Sequence, residues 1–289
     1  MPPSKSPYPG TAYHIAWIAS TQSDLSAALT LLDKNFGPPA EDCEPTAGDA
    51  CTYATGLMAG HKVVLVCMNA DLPQPFTADS VVHNMRYTFP NLRFAMLVGV
   101  GSAVPRYGLG CVRDVRLGDV VVGSQKGKKD GVVVYEVHNN GPVQSRTVNN
   151  RPSSVAKALT GSRANAPTSA ATLNNASMIA ARANTDVPTV HFGTIVSAKH
   201  PERIPVKLDG HCVESQAASL QSEWPCLGIR GMVDYWGDGG NGGREWRGYA
   251  RASAAAFAKL FLQAVGEDEL MRDRIVIEAL AVRRGVKKA

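Results

Sequence analysis

Two rhythms of apolar residues run along this chain of 289 residues. Short runs rich in β-branched and apolar side chains have the length and composition of buried strands: His14–Ile18, Lys62–Met68, Phe94–Val100, Asp119–Gly123, Val132–Glu136, Val190–Ser197 and Cys226–Val233. Between them, Ser23–Phe36, Ala78–Thr88, Val155–Ala164, Cys212–Ser222 and Arg247–Ala264 repeat apolar residues at helical spacing. Near-continuous apolar strands alternating with helices predict an α/β fold, its sheet largely parallel and covered on both faces. Gly99, Gly101, Gly118 and Gly123 fall at or just past strand ends, where such a sheet turns toward its helices. Ligands of open α/β sheets gather at the carboxyl ends of the strands, which directs attention to Ser20–Asp24, Gly99–Pro105, Ser197–Pro201 and Asp234–Trp236. The glycine-rich stretch Gly237–Gly243 reads as a surface loop after a strand, in a position to cover the site.

Composition narrows the class. Hydrophobic residues make up 44% and charged residues 19%, ordinary for a globular protein with a sizeable core. The formal charge of +5 is densest at Lys126, Lys128 and Lys129 and at Arg283, Arg284, Lys287 and Lys288, short runs that read as a solvated loop and tail, so no nucleic-acid partner is expected. The cysteines at 43, 51, 67, 111, 212 and 226 lack CxxC spacing and read as reduced core residues, with a Cys43–Cys51 disulfide left open. Met1–Gly10 has no apolar signal-peptide core, and no run approaches the ~18 apolar residues of a membrane span, so a cytoplasmic protein without a membrane partner is expected. The expected organisation is a flexible segment at 1–12, one domain at 13–265, and a C-terminal helix with a basic tail at 266–289.

An ordered series of segments then resembles the nucleoside phosphorylase superfamily, and most of all its fungal branch. The series is Trp17-Ile18-Ala19 with Asp24, Phe89-Pro90, Arg93-Phe94, Val98-Gly99-Val100-Gly101 with Val104-Pro105, Arg116-Leu117-Gly118-Asp119-Val120-Val121-Val122 and Arg151-Pro152. It continues through His191-Phe192-Gly193-Thr194-Ile195, Ser197, Glu214, Ala217-Ala218, Trp224-Pro225-Cys226, Ile229-Arg230-Gly231, Asp234-Tyr235, Trp246 and Gly248-Tyr249-Ala250. The resemblance implies a single-domain, three-layer αβα fold with a central mixed, mostly parallel sheet, assembled as a homo-oligomer. It also implies cleavage of the N-glycosidic bond of a purine-nucleoside-like substrate, which needs neither metal nor organic cofactor.

That chemistry requires a donor to protonate the leaving base, an accepting group at the sugar hydroxyls beside the oxocarbenium-like carbon, and a nucleophile on the opposite sugar face. The resemblance implies Asp234 as the donor and Asp24 as the carboxylate on the nucleophile side; their local alternatives are a strand-end turn and a helix N-terminus. It implies Glu214, Ser215 and Gln216 at the sugar, Gly101 and Ser102 at the close approach of ligand to backbone, and Ser197 and His200 on the base side, with Trp236 on the substrate side next to Asp234, where it helps to bury that carboxyl. The chain departs from the family at these places. The motif Glu-Met-Glu-Ala-Ala-Gly is here Glu214-Ser215-Gln216-Ala217-Ala218-Ser219, which puts a neutral amide where a carboxylate grips the sugar. A glycine triplet is replaced by Gly101-Ser102-Ala103, the stacking aromatic is missing from Ser197-Ala198-Lys199-His200-Pro201, and Asp71–Phe76 replaces a glycine-containing loop. Hydrolysis is therefore favoured over phosphorolysis, with phosphate kept as a candidate second ligand. The competing reading is the same scaffold turned to another acid-assisted reaction, such as cyclisation, isomerisation or elimination on a non-nucleoside metabolite.

Overall fold

The computed structural model describes residues 5–43, 51–68, 77–106, 113–124, 131–136, 144–148, 151–164, 187–204, 209–219, 224–238 and 243–283. Asp71–Phe76, the lysine cluster at 126–129, Cys111, residues 239–242 of the glycine-rich loop and the tail from 284 lie outside them. Among the described residues, twelve strands form one sheet. They are β1 (Ile15–Ala19), β2 (Lys34–Gly37), β3 (Tyr53–Met58), β4 (His61–Cys67), β5 (Phe94–Ala103) and β6 (Val120–Gly123), followed by β7 (Val132–Glu136), β8 (Gln144–Val148), β9 (Val190–Gly193), β10 (Ile195–Ser197), β11 (Cys212–Glu214) and β12 (Cys226–Tyr235). The helices are α1 (Gln22–Thr30), α2 (Ala78–Thr88), α3 (Ser153–Ala164), α4 (Gly243–Ala264), α5 (Glu267–Arg272) and α6 (Val276–Arg283).

The centre of the sheet, β4-β1-β5-β12, is parallel throughout. Its strands are apolar on both faces, and the period of two divides their side chains between two cores. Ile15, Trp17 and Ala19 of β1, with Phe94, Met96 and Val98 of β5, meet Leu25 and Ala28 of α1, Val155 and Leu159 of α3 and Phe257 and Phe261 of α4. Ala16 and Ile18, with Ala95 and Leu97, meet Val81, Val82 and Met85 of α2 and Val276 of α6. This is a three-layer αβα arrangement. Each large apolar side chain so enclosed contributes roughly 1.5–3 kcal/mol. Glycine admits the closest contact between layers: a Cβ on Gly231 of β12 would run into the Ala250 carbonyl of α4.

Several local expectations change. The helical pattern Ser23–Phe36 stops at Thr30, and β2 forms from its end by pairing antiparallel with β3. The stretch Cys212–Ser222 does not open a helix: Cys212–Glu214 is a strand between β10 and β5, followed by a 3₁₀ turn at Gln216–Ser219. Pairing on both sides has overridden the helical period there. Val190–Ser197 divides into β9 and β10, which join different partners. Cys43 and Cys51 are buried thiols rather than a disulfide. Among the described residues, no helix is long and apolar enough to cross a membrane.

Candidate functional site

The strand ends that the sequence marks for a ligand meet where β5 and β12 finish against β11 and β10. Ser102 of β5 has Val213 of β11 on one side and Asp234 of β12 on the other. The Asp234 position depends on an irregularity, because β12 shifts register between Met232 and Asp234. Met232 and Tyr235 both pack into the core under α2, whereas Trp236 packs against a separate small cluster of Val196, Ala198, Ile204 and Val213. In a regular strand Met232 and Tyr235 would face opposite ways; the extra residue changes the phase and brings Asp234 alongside Ser102.

Three sequence-marked side chains carry buried polar atoms without a hydrogen-bond partner among the described residues: Ser197 Oγ, Gln216 Oε1 and Asp234 Oδ1. Such atoms are uncommon in folded proteins, since each left unsatisfied costs about 1–3 kcal/mol. Ser197 is fully buried and stands in register with Glu214 across β10 and β11. All three atoms can accept a hydrogen bond.

Glu214 is fully committed. Its carboxylate lies 2.8 Å from the Arg230 Nη2, with both side chains 1% exposed. It also accepts the backbone N–H groups of Gln216 and Ala217, which holds the 3₁₀ turn in place. Arg230 projects from the centre of β12 into the space left by Gly99, where a Cβ would strike the Ser20 hydroxyl, and its Nη1 donates to Ser20 Oγ at 3.3 Å. Its Nε is a further buried atom without a partner among the described residues. Arg230 was quoted above only as part of a motif. The signal for a larger part was a lone cation inside an otherwise apolar strand, which must find an anion when buried.

Asp24 sits in the first turn of α1. Its Oδ2 accepts the backbone N–H and the hydroxyl of Thr21, closing a capping box, and its Oδ1 lies 2.6 Å from the Arg251 Nε of α4. The helix-terminus arrangement and the candidate role on the nucleophile side thus fall on one residue. Gly101 passes close to β11, where a Cβ would approach the Val213 carbonyl to 3.0 Å. Ser215 and His200 are exposed, His200 just before a 3₁₀ turn at Pro201–Arg203. Trp236 is half-buried, and its backbone N–H donates to the Ala103 carbonyl at 2.8 Å.

Asp119 forms a separate cluster with His191, whose Nε2 lies 2.9 Å from the Asp119 carboxylate. That carboxylate also accepts the N–H groups of Arg116 and Thr189, tying the turn before β6 to β9. Burial pushes the Asp119 pKa up, but the His191 contact and the backbone donors outweigh it, and the value falls below the usual carboxylate range. Among the described residues, no three His, Cys, Asp or Glu side chains come together as metal ligands.

No family model matches the chain. Over 314 aligned positions it is 27% identical to a nucleotide-binding leucine-rich repeat-like protein of Hyaloscypha variabilis, covering 91% of this chain but only 30% of that protein. The chain therefore spans less than a third of this curated relative. Its structure is similar to the 5′-methylthioadenosine/S-adenosylhomocysteine nucleosidase of Helicobacter pylori, with a TM-score of 0.58 at 13% identity over 87% of this chain and 98% of that one. Futalosine hydrolase of the same bacterium gives a TM-score of 0.56 at 14% identity, covering 87% and 97%. A Borrelia burgdorferi protein described as a nucleosidase of the first kind, bound to adenine, gives 0.52 at 14%, covering 89% and 99%.

Proposed function

We propose that this chain, which has the fold of the nucleoside phosphorylase and nucleosidase superfamily, cleaves the N-glycosidic bond of a purine-nucleoside-like molecule by hydrolysis. The observation that carries the reading is the Asp234 carboxyl, turned by a strand irregularity to the Ser102 face with one buried oxygen that has no partner among the described residues. A carboxyl group in that setting can give a proton to the departing base. Gln216 Oε1 accepts from a sugar hydroxyl, and Ser197 Oγ meets a polar edge of the base. Asp24 serves the nucleophile side: Thr21 and Arg251 fix its carboxylate, and the oxygens of an ionised carboxylate have lone pairs to spare for a water.

Hydrolysis is favoured over phosphorolysis because Arg230 and Arg251 are each already matched to a carboxylate. A phosphate dianion would have to compete with Glu214 and Asp24 for them. The same neutralisation leaves the sugar end with the uncharged Gln216 and a compensated Glu214, which stabilises an oxocarbenium ion weakly. This supports the second reading, another acid-assisted reaction on a different metabolite.

Incubation with a panel of purine and pyrimidine nucleosides, with and without phosphate, separates the readings when free base is followed by chromatography. Release that is independent of phosphate is expected. Release only with phosphate makes the chain a phosphorylase, and no release from any nucleoside moves the assignment to the second reading.

A further inference from the structure

We propose that a cavity at the amino-terminal end of the sheet, lined by His14, His61 and Lys62, binds a small tetrahedral oxyanion. His14 immediately precedes β1, and His61 and Lys62 open β4, its parallel neighbour. The cavity has a volume of about 50 Å³; Ile15 and Leu270 give it an apolar wall, and the exposed Gly60 and Glu267 also line it. A water takes up ~10–15 Å³ on this measure, so the space suits a small oxyanion and falls far short of a nucleoside. The run from His14 to Ser20, at ~3.3 Å per residue, puts about 20 Å between this cavity and the strand end near Asp24. Such a site is therefore separate from the proposed catalytic end and independent of the glycosidase reading.

Charge around the cavity is the second observation. Burial first, and then the Arg93, Lys62 and His61 charges, hold the His14 pKa below the ordinary histidine range, and Glu267 alone acts the other way. Basic groups from β4 and from the residues before β1 and β5 thus outnumber one exposed carboxylate, an imbalance that a bound anion corrects. Arg93 already donates to the Asp273 carbonyl. The His14 ring and the Lys62 ammonium have no hydrogen-bond or ion-pair partner among the described residues. Lys62 Nζ lies 4.7 Å from the centre of the Tyr8 ring, a contact that holds the ammonium in place without taking up its N–H groups in a conventional hydrogen bond. His61 is oriented by the end of α4, where its Nε2 lies 3.2 Å from the Leu262 carbonyl and 3.0 Å from that of Val265. Carbonyl oxygens only accept, so Nε2 carries the proton, and Nδ1 becomes a second donor once the ring is protonated. Carbonyls at a helix C-terminus favour that protonated form.

The test titrates the full chain with sulfate in a calorimeter at low ionic strength, in wild type and in His14→Gln, Lys62→Gln and Glu267→Gln. Wild type is expected to bind, and His14→Gln and Lys62→Gln are each expected to weaken binding about tenfold, as for a lost charge-assisted hydrogen bond. Glu267→Gln removes the opposing charge from an exposed position, so binding is expected to tighten about threefold with the thermal midpoint of the ligand-free chain unchanged. A gain of that kind cannot come from a damaged fold. Sulfate keeps its charge from about pH 5 to 8, so any change of affinity across that range comes from the protein. The bound anion favours the His14 imidazolium, binding takes up a proton, and affinity is expected to rise as pH falls, less steeply in His14→Gln. Sulfate affinity that is the same in wild type and all three variants belongs elsewhere on the chain and overturns the proposal. Failure of wild type to bind sulfate, or an affinity that does not change with pH, overturns it as well.

Discussion

Glu214 and Arg230 face each other at 2.8 Å with almost no solvent on either, and the consequence of separating them is large. Removing one partner leaves a buried charge without compensation, a loss of about 3–5 kcal/mol. Arg230→Met should lower unfolding stability by that amount in a urea titration, and Glu214→Gln combined with Arg230→Met should recover much of it. Recovery in the double variant separates loss of the charge pair from loss of packing volume. Asp234 is a different kind of residue, with one oxygen bonded to nothing among the described residues. Asp234→Asn keeps the volume but removes the acid, so base release should fall roughly 10²–10⁴-fold with the thermal midpoint unchanged. Base release near the wild-type rate would mean that the proton comes from elsewhere. Of these residues, Asp234, Asp24 and Glu214 could be picked out from the sequence by their motifs. Arg230 was legible only as a lone cation in an apolar strand, with no sign of which anion it meets, and Arg251 was not legible at all, because its partner Asp24 lies 227 positions away.

Elements follow the apolar rhythm wherever one strand or helix buries its own pattern. Ala78–Thr88 and Val132–Glu136 have the predicted bounds, since each packs the apolar residues its period displays. Where an element depends on neighbours, the local pattern misleads: Cys212–Glu214 is a strand because β10 and β5 flank it, and Tyr53–Met58, interrupted by Gly56, is a strand because it pairs with β2 and β4. The contact between β12 and α4 is specific enough to be tested at one atom. Gly231→Ala places a methyl against the Ala250 carbonyl, so α4 must back away from the sheet. The expected loss is about 1–3 kcal/mol, as for other overpacked cores, read as a lower denaturant midpoint. An unchanged midpoint would show that the helix has room to shift.

Across the whole molecule, stability should depend on acid through Asp119. Its folded pKa lies below the ordinary value of 3.8, with burial opposing and His191 and two backbone donors prevailing. A depressed carboxylate stabilises the fold fully above its unfolded pKa, and the contribution is lost as pH falls through the folded value. Asp119→Asn should therefore be less stable than wild type at neutral pH, with the gap closing below pH 3.8, as measured by denaturant midpoints across a pH series. A gap that persists into acid would assign the effect to lost hydrogen bonds alone. The sequence by itself determined the αβα class, the parallel centre of the sheet and the strand ends at which a ligand would gather, because near-continuous apolar strands alternating with amphipathic helices can be buried in few ways. Only the tertiary structure decided which side Asp234 faces and which arginines neutralise Glu214 and Asp24. Those outcomes turn on one extra residue in a strand and on contacts between segments up to 227 positions apart, and no local period encodes either.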